Sequence, residues 1–191
     1  MKFKTMLAAT LLATGLSAMA ADAPKVKFAT TAGDIVIEVY PDKAPKTVDN
    51  FLKYVESKHY NGTIFHRVIG NFMIQGGGYD EKFYEKPTRP PVAHEGEVVQ
   101  ANKGPRNTTG TIAMARTNDP NSATAQFFIN VKDNASLDYA TRPPGYVAFG
   151  KVVSGMDVVD KIKSMPTGAG GPFPTDVPKT AVVITSATIV K

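Results

Sequence analysis

The residues best suited to chemistry lie close together in segment 65–75, which contains Arg67 and Gln75. The guanidinium of Arg67 stays charged at any relevant pH and presents a planar fork of hydrogen-bond donors. Gln75 adds an amide that both donates and accepts. The chain has no cysteine, and His59 and His94 have no partners at metal-ligand spacing. The sequence therefore predicts hydrogen-bonding chemistry with no thiolate nucleophile, no metal and no cofactor.

The neighbours of Arg67 predict where its side chain lies. If 65–69 forms a strand, alternation places Arg67 on the same face as Phe65 and Ile69, among apolar side chains. An arginine in a surface ion pair is the ordinary alternative. His66, between Phe65 and Arg67, is predicted to be a structural histidine that fixes local hydrogen bonds.

The elements that position these residues are mainly short strands. Two runs of alternating residues, 26–30 and 35–40, flank the turn 31–34, which is typical of a β-hairpin. Further strands are predicted at 63–69, 72–75, 111–116, 127–131, 146–153 and 181–190. The segments 80–110 and 167–178 are rich in glycine and proline and are predicted to be mostly loop.

Two helices are predicted between these strands. Pro45 suits the first turn of one helix, and its apolar stripe has helical spacing at positions 48, 51, 52 and 55. The second helix is predicted at 155–164, with Ser154 as its N-cap. Many short strands with two helices favour a mainly β fold, an antiparallel sheet closed into a barrel.

The N-terminus has the pattern of a cleavable signal peptide. Lys2 and Lys4 precede an apolar run at 6–16, and a small-x-small pattern follows at 18–20. We therefore predict a signal peptide at 1–20 and a single domain at 21–191, with no membrane anchor. A buried N-terminal helix is the alternative. Removal of the segment would lower the formal net charge from +5 to +3, and no basic run is interleaved with aromatics, so no nucleic-acid partner is predicted.

Three groups of motifs resemble those of the cyclophilins. They lie at 65–77 (FHRVIGNFMIQGG), at 110–115 with 121–129 (GTIAMA, NSATAQFFI), and at 147–152 with 155–157 (VAFGKV, GMD). The likeness extends over nearly all of 26–190 and, with the N-terminal segment, is nearest to the periplasmic cyclophilins of Gram-negative bacteria, the rotamase A group. It implies an eight-stranded antiparallel β-barrel capped by two α-helices. It also implies peptidyl-prolyl cis–trans isomerase activity on proline-containing polypeptides in the periplasm, in aid of the folding of exported proteins.

The resemblance also assigns roles to residues. Arg67 would stabilise the twisted amide without a covalent intermediate, and Gln75 would hold Arg67 or bind the substrate backbone. The expected walls of a proline pocket are Phe72, Met73, Phe128 and Leu137, residues that periodicity alone would place in the core. The residues expected to hydrogen-bond the substrate backbone beside the proline are Ala115, Arg116 and Gln126.

Three positions depart from the pattern of animal cyclophilins. Tyr146 stands where a histidine is usual in the substrate site, and Arg116 replaces an asparagine; both are familiar in bacterial members. Ser136 stands where the animal proteins have a tryptophan that helps to bind cyclosporin. Since serine lacks both that surface and the indole N–H, weak cyclosporin binding is expected.

Two other classes of protein remain open at this stage. One is a proline-directed chaperone that binds extended peptides with little catalysis, for which the same pocket would serve. The other is a barrel that carries a small ligand in a hollow interior, as lipocalins do, although the large residues along these strands favour a filled one. Nothing in the sequence demands more than a monomer.

Overall fold

The computed structural model describes residues 23–190, in which eight strands close into an antiparallel barrel. These residues form ten strands, of which β8 and β9 lie outside the barrel. The strands are β1 (Lys25–Thr30), β2 (Gly33–Val39), β3 (Thr63–Ile69), β4 (Met73–Asp80), β5 (Thr111–Met114), β6 (Phe127–Asn130), β7 (Ala148–Ser154), β8 (Thr167–Gly170), β9 (Phe173–Pro178) and β10 (Val183–Val190). Around the barrel their order is β1-β10-β3-β4-β6-β5-β7-β2. The predicted mainly β barrel is confirmed. The predicted signal peptide, 1–20, lies outside the described residues.

Three α-helices accompany the barrel within residues 23–190, rather than the two predicted. They are α1 (Pro45–Glu56), α2 (Gly96–Ala101) and α3 (Met156–Lys163). Helix α2 lies in the segment predicted to be mostly loop, and its six residues are too few to show a helical period. Among the described residues, no helix is long and apolar enough to span a bilayer.

The start of α3 differs from the prediction. The N-cap is Gly155 and not Ser154, and no side chain caps the helix. Gly155 has a φ of 87°, and a Cβ there would overlap the carbonyl oxygen of Asp34. The close approach of β2 therefore requires glycine at this turn.

The segment predicted to be a loop at 167–178 is instead a second, two-stranded sheet. Strands β8 and β9 pair in antiparallel register outside the barrel, with Gly168 opposite Val177 and Gly170 opposite Phe173. Its glycine and proline content is typical of loops, which is why sequence reasoning misses the hairpin.

The barrel interior is filled by side chains. Rings from the strands and from α1 pack there, and Phe28, Phe51, Tyr60, Phe127 and Phe149 are all fully buried. Phe28 and Phe127 are stacked with ring centroids 5.2 Å apart, and the centroids of Phe51 and Phe149 are 5.1 Å apart. A filled interior rules out the lipocalin-like alternative, which needs a hollow barrel.

A second apolar cluster lies on the outer face of the same sheet. This outer cluster consists of Met73, Ala113, Phe128 and Ala148, with Ile69, Phe72, Ala115, Leu137 and Tyr146 packed against them. Because side chains alternate along a strand, Phe127 joins the interior while its neighbour Phe128 joins the outer cluster. One sheet therefore supports both the core and an apolar surface outside it.

A β-bulge in β3 changes the face on which Arg67 lies. Phe65 is opposite Gly76 in β4, whereas Arg67 is opposite Gln75, so two steps along β3 match one step along β4. Phe65 packs in the interior, as does Val68, which follows Arg67. The prediction that Arg67 shares a face with Phe65 is therefore wrong.

Candidate active site

A cavity of about 480 Å³ opens on the outer face of the barrel, beside the outer cluster. It collects every site residue predicted from the sequence: Arg67, Phe72, Met73, Gln75, Ala115, Arg116, Gln126, Phe128, Leu137 and Tyr146. These ten residues come from three barrel strands and several connecting segments. The fold therefore brings together side chains that are far apart in the sequence.

One end of the cavity is an apolar slot. Met73 and Phe128 are 2% and 4% exposed, so they form its floor. Phe72 and Leu137 complete its walls, and the ring of Tyr146 meets Phe128 edge to face with centroids 5.6 Å apart. Aromatic and thioether groups make a flat, adaptable surface of the kind that suits a pyrrolidine ring.

The side-chain amides of buried asparagines donate hydrogen bonds to the backbone carbonyls of residues around the slot. Asn134 Nδ2 donates to the carbonyl of Phe72 at 2.8 Å. Asn107 Nδ2 donates to the carbonyls of Leu137 and Tyr146 at 3.3 Å and 3.2 Å. Side-chain amides from outside the slot thus position both its walls and the neighbouring Tyr146.

These asparagines belong to one buried network. Asn130 is fully buried and links the other two: its Nδ2 donates to Asn107 Oδ1 at 3.2 Å, and its Oδ1 accepts from Asn134 Nδ2 at 2.7 Å. Asp138 accepts the backbone N–H of Asn107 at 2.7 Å and also pairs with Arg106 at 3.0 Å. A satisfied buried network of this kind rigidifies the structure around it.

Arg67 lies half-buried at the edge of the slot. Within residues 23–190, no hydrogen bond or ion pair to another protein group occupies its guanidinium, which excludes the ordinary surface ion pair there. An arginine with free donors beside an apolar slot can donate to a bound molecule.

The amide of Gln75 contacts Gln126 rather than Arg67. Gln75 Nε2 donates to Gln126 Oε1 at 3.0 Å across the β4–β6 edge. The two amides fix each other's orientation and keep free hydrogen-bonding atoms at the cavity wall. Of the two predicted roles for Gln75, this geometry favours contact with substrate backbone.

Arg116 is held at the rim by the protein itself. Its Nη2 and Nε donate to the carbonyl of Gly145 at 2.8 Å and 3.2 Å, and its Nη1 donates to the carbonyl of Thr117 at 2.8 Å. Its guanidinium carbon lies 4.4 Å from the ring centroid of Tyr146, a cation–π contact. Arg116 therefore fixes the Tyr146 ring at the cavity edge.

Sequence reasoning missed three aromatic residues of the cavity, His66, Tyr79 and Phe173. His66 is 1% exposed and its ring stacks on Phe173, with centroids 5.3 Å apart. Its Nδ1 has no hydrogen-bond partner in the described part of the chain, so the predicted role in fixing hydrogen bonds is not what this nitrogen does. Burial lowers the pKa of His66 to about 4, so the ring is neutral at pH 7.

No group of three or more histidine, aspartate or glutamate side chains in residues 23–190 could hold a metal ion. The polar groups at the cavity include the guanidinium groups of Arg67 and Arg116 and the side-chain amides of Gln75 and Gln126. This set can hydrogen-bond a peptide backbone while the slot binds an apolar ring.

A barrel closed by eight strands, with an arginine beside an apolar slot on its outer face, defines the cyclophilin class. The family model for cyclophilin-type peptidyl-prolyl cis–trans isomerases matches residues 25–189. The chain therefore belongs to this family. It is an enzyme that interconverts the cis and trans forms of Xaa-Pro peptide bonds.

Bacterial relatives are similar over most of the chain. Peptidyl-prolyl cis-trans isomerase B of Escherichia coli is 53% identical over 167 residues, covering 86% of this chain and 98% of the relative. Peptidyl-prolyl cis-trans isomerase A of Dickeya dadantii is 48% identical over 193 residues, covering 98% of each. The cyp18 isomerase of Streptomyces antibioticus is 54% identical over 86% of this chain and 97% of its own.

A solved structure has the same fold. The cyclophilin-type isomerase of Cryptosporidium parvum, crystallised in the presence of the dipeptide Ala-Pro, superposes with a TM-score of 0.67 at 25% identity. The match covers 87% of this chain and 99% of that one.

Proposed function

We propose that this enzyme isomerises Xaa-Pro bonds of exported polypeptides and that Arg67 stabilises the twisted amide. The observation that carries the proposal is the free guanidinium of Arg67 at the edge of the slot formed by Phe72, Met73, Phe128 and Leu137. A proline ring in this slot would place its nitrogen beside the guanidinium. The neighbouring amides of Gln75 and Gln126 would hydrogen-bond the backbone next to it.

The reaction needs no bond making. Amide resonance creates a barrier of about 20 kcal/mol to rotation, and the uncatalysed step takes tens of seconds or longer. At the twisted geometry the proline nitrogen becomes pyramidal and regains a lone pair, which a donor can bind. Since the planar isomers offer no such lone pair, the Arg67 hydrogen bond is stronger in the transition state than in either ground state. Differential binding of about 5–7 kcal/mol would accelerate the rotation by roughly four to five orders of magnitude.

The N-terminal sequence supports a role outside the cytoplasm. Lys2 and Lys4, the apolar run at 6–16 and the small residues at 18 and 20 match a secretory signal peptide. Export would place the enzyme in the periplasm, where newly translocated chains fold. The lack of cysteine fits an oxidising compartment.

An assay of Arg67→Ala tests the catalytic role. The purified domain 21–191 is compared with Arg67→Ala and Arg67→Lys on a short Xaa-Pro peptide, by NMR exchange between the isomers. We expect Arg67→Ala to lower kcat by about 100-fold or more, the loss seen when a transition-state donor is removed. Peptide binding should fall much less. Arg142→Ala is the matched control, because Arg142 is exposed and does not line the cavity.

Two results would contradict the proposal. Equal kcat for wild type and Arg67→Ala would remove Arg67 from the mechanism. Binding of proline peptides by a wild type that does not accelerate isomerisation would favour the chaperone alternative. The export role is tested by producing the full chain in a Gram-negative host: a product that stays cytoplasmic and retains residues 1–20 would overturn it.

A further inference from the structure

The cavity extends beyond the slot into a group of three aromatic side chains, His66, Tyr79 and Phe173, which together we term the aromatic subsite. His66 lies next to Arg67 on β3, and adjacent Cα atoms are about 3.8 Å apart. Both residues line the cavity, so the subsite adjoins the part of the wall that carries Arg67. On β4, Met73 in the slot, Gln75 at the centre and Tyr79 in the subsite follow one another in that order.

The three rings hold one another at fixed angles. Phe173 stacks on His66 with 28° between the ring planes, and it meets Tyr79 edge to face with centroids 5.2 Å apart. The rings of His66 and Tyr79 also meet edge to face, at 4.8 Å. Fixed rings lose little conformational entropy when they bind another side chain.

The β8–β9 hairpin positions Phe173 at the cavity, because Phe173 is the first residue of β9. Phe83 packs behind Phe173, with centroids 6.2 Å apart, but does not line the cavity. Gly171, at a φ of 49°, allows the turn of the hairpin to approach the Phe83 ring, which a Cβ would overlap. Phe173 is thus supported from outside the cavity.

We propose that the aromatic subsite binds a large apolar side chain, preferably an aromatic one, one or two residues from the substrate proline. This inference rests on the proposed placement of the proline beside Arg67. The ring faces and edges of the subsite match another aromatic ring, and the His66 ring is neutral at pH 7 and adds no charge. The subsite would give the enzyme a preference among prolyl bonds according to the neighbouring residue.

The test compares three acetylated peptides, Ala-Ala-Pro-Ala, Ala-Phe-Pro-Ala and Ala-Ala-Pro-Phe. For wild type, Phe173→Ala and the control Tyr84→Ala, kcat/KM is measured by NMR exchange and Kd by calorimetry; Tyr84 is an exposed aromatic residue that does not line the cavity. We expect Phe173→Ala to lower kcat/KM about fivefold for one of the phenylalanine peptides relative to the all-alanine peptide, as loss of an aromatic pair predicts. Tyr84→Ala should change this ratio less than twofold.

Equal losses on all three peptides, or the same change of ratio in Tyr84→Ala, would overturn the subsite. Calorimetry separates this from failure of the proposed mechanism: selective loss of binding to a phenylalanine peptide supports the subsite even if Arg67 proves unimportant for kcat. Should Phe173→Ala fail to fold, Phe173→Leu keeps most of the volume without the aromatic ring and is expected to show the same selective loss.

Discussion

His66 couples the site to the pH dependence of stability. Its pKa is lowered to about 4, mainly because the ring is buried and to a smaller extent because the charge of Arg67 is near. A backbone hydrogen bond with Ile64 opposes the shift. In the unfolded chain the same ring titrates near 6.5. Below pH 6.5 the unfolded chain binds a proton that the folded protein does not, so acid favours unfolding.

We expect the free energy of unfolding to fall as the pH drops from 6.5 to 4 and to be retained above that window. The contribution of His66 is on the order of 3 kcal/mol over this range. Urea denaturation of wild type and His66→Phe at pH 7 and pH 4.5 measures it, since phenylalanine keeps the stacking and cannot take up a proton. The same pH dependence in both proteins would contradict the assignment to His66. The pKa values of His59 and His94 are also lowered, mainly by burial, and both residues remain in the variant.

Ser136 governs the expected response to cyclosporin. It is exposed on the short 3-10 helix Ala135–Leu137, directly before the slot residue Leu137. We expect a cyclosporin Kd above about 1 µM for the wild type and a roughly tenfold tighter complex for Ser136→Trp, because an indole adds apolar surface and a donor. Calorimetry measures both, with Ala135→Trp as the control on the same helix. Sub-micromolar binding by the wild type would refute the expectation.

At the scale of elements, a distant side chain caps α1. Ala44 at the N-cap position gives no side-chain hydrogen bond. Instead Glu95, only 3% exposed, accepts the backbone N–H groups of Lys46 at 3.1 Å and Thr47 at 2.7 Å, and the Thr47 hydroxyl at 2.8 Å. The carboxylate therefore ties the segment before α2 to the positive end of the α1 dipole.

Loss of this cap should destabilise the fold. We expect Glu95→Ala to lower the free energy of unfolding by about 2–4 kcal/mol, since buried donors lose a charged acceptor. Glu95→Gln keeps an acceptor and should cost about half as much. Chemical denaturation measures both, and Glu97→Ala, at an exposed position two residues away, should change stability by less than about 0.5 kcal/mol. A loss in Glu95→Ala no larger than this control would contradict the capping role.

The barrel strands are predictable from sequence because one face of each is buried. Ile35 and Ile37 in β2, for example, alternate with less buried neighbours and are fully buried. Helix α2 and the β8–β9 hairpin are not predictable in this way. The helix has only six residues, too few to show a helical period, and the hairpin has the composition of a loop. The bulge in β3 also has no signal in the pattern, because regular alternation fits 65–69 equally well.

The site is predictable only in part, for a physical reason. Met73 and Phe128 are as buried as core residues, so periodicity assigns them to the core, and only the resemblance assigns them to a pocket. Phe173 is missed because its place beside His66 depends on tertiary packing across about a hundred residues of chain.

At the scale of the molecule, adjacent residues of one strand divide stability from activity. Phe127 packs in the interior against the rings of Phe28, Tyr60 and Phe65, whereas Phe128 forms the slot floor. We expect Phe127→Leu to lower the free energy of unfolding by about 1–2 kcal/mol and leave kcat/KM within about twofold. Phe128→Leu should lower kcat/KM about tenfold with a smaller loss of stability. Denaturation and the isomerisation assay measure both variants, and equal effects on activity would contradict this division.

The bulge in β3 increases the number of side chains that this strand presents to the cavity. A regular strand presents one side chain to a given face about every 7 Å, because alternate residues point the other way. In β3 the consecutive residues His66 and Arg67 both line the cavity. Their spacing then matches the residue-to-residue spacing of an extended peptide. A regular strand with the same residues would present only one of these two side chains to the cavity, and therefore to only one position of a bound peptide.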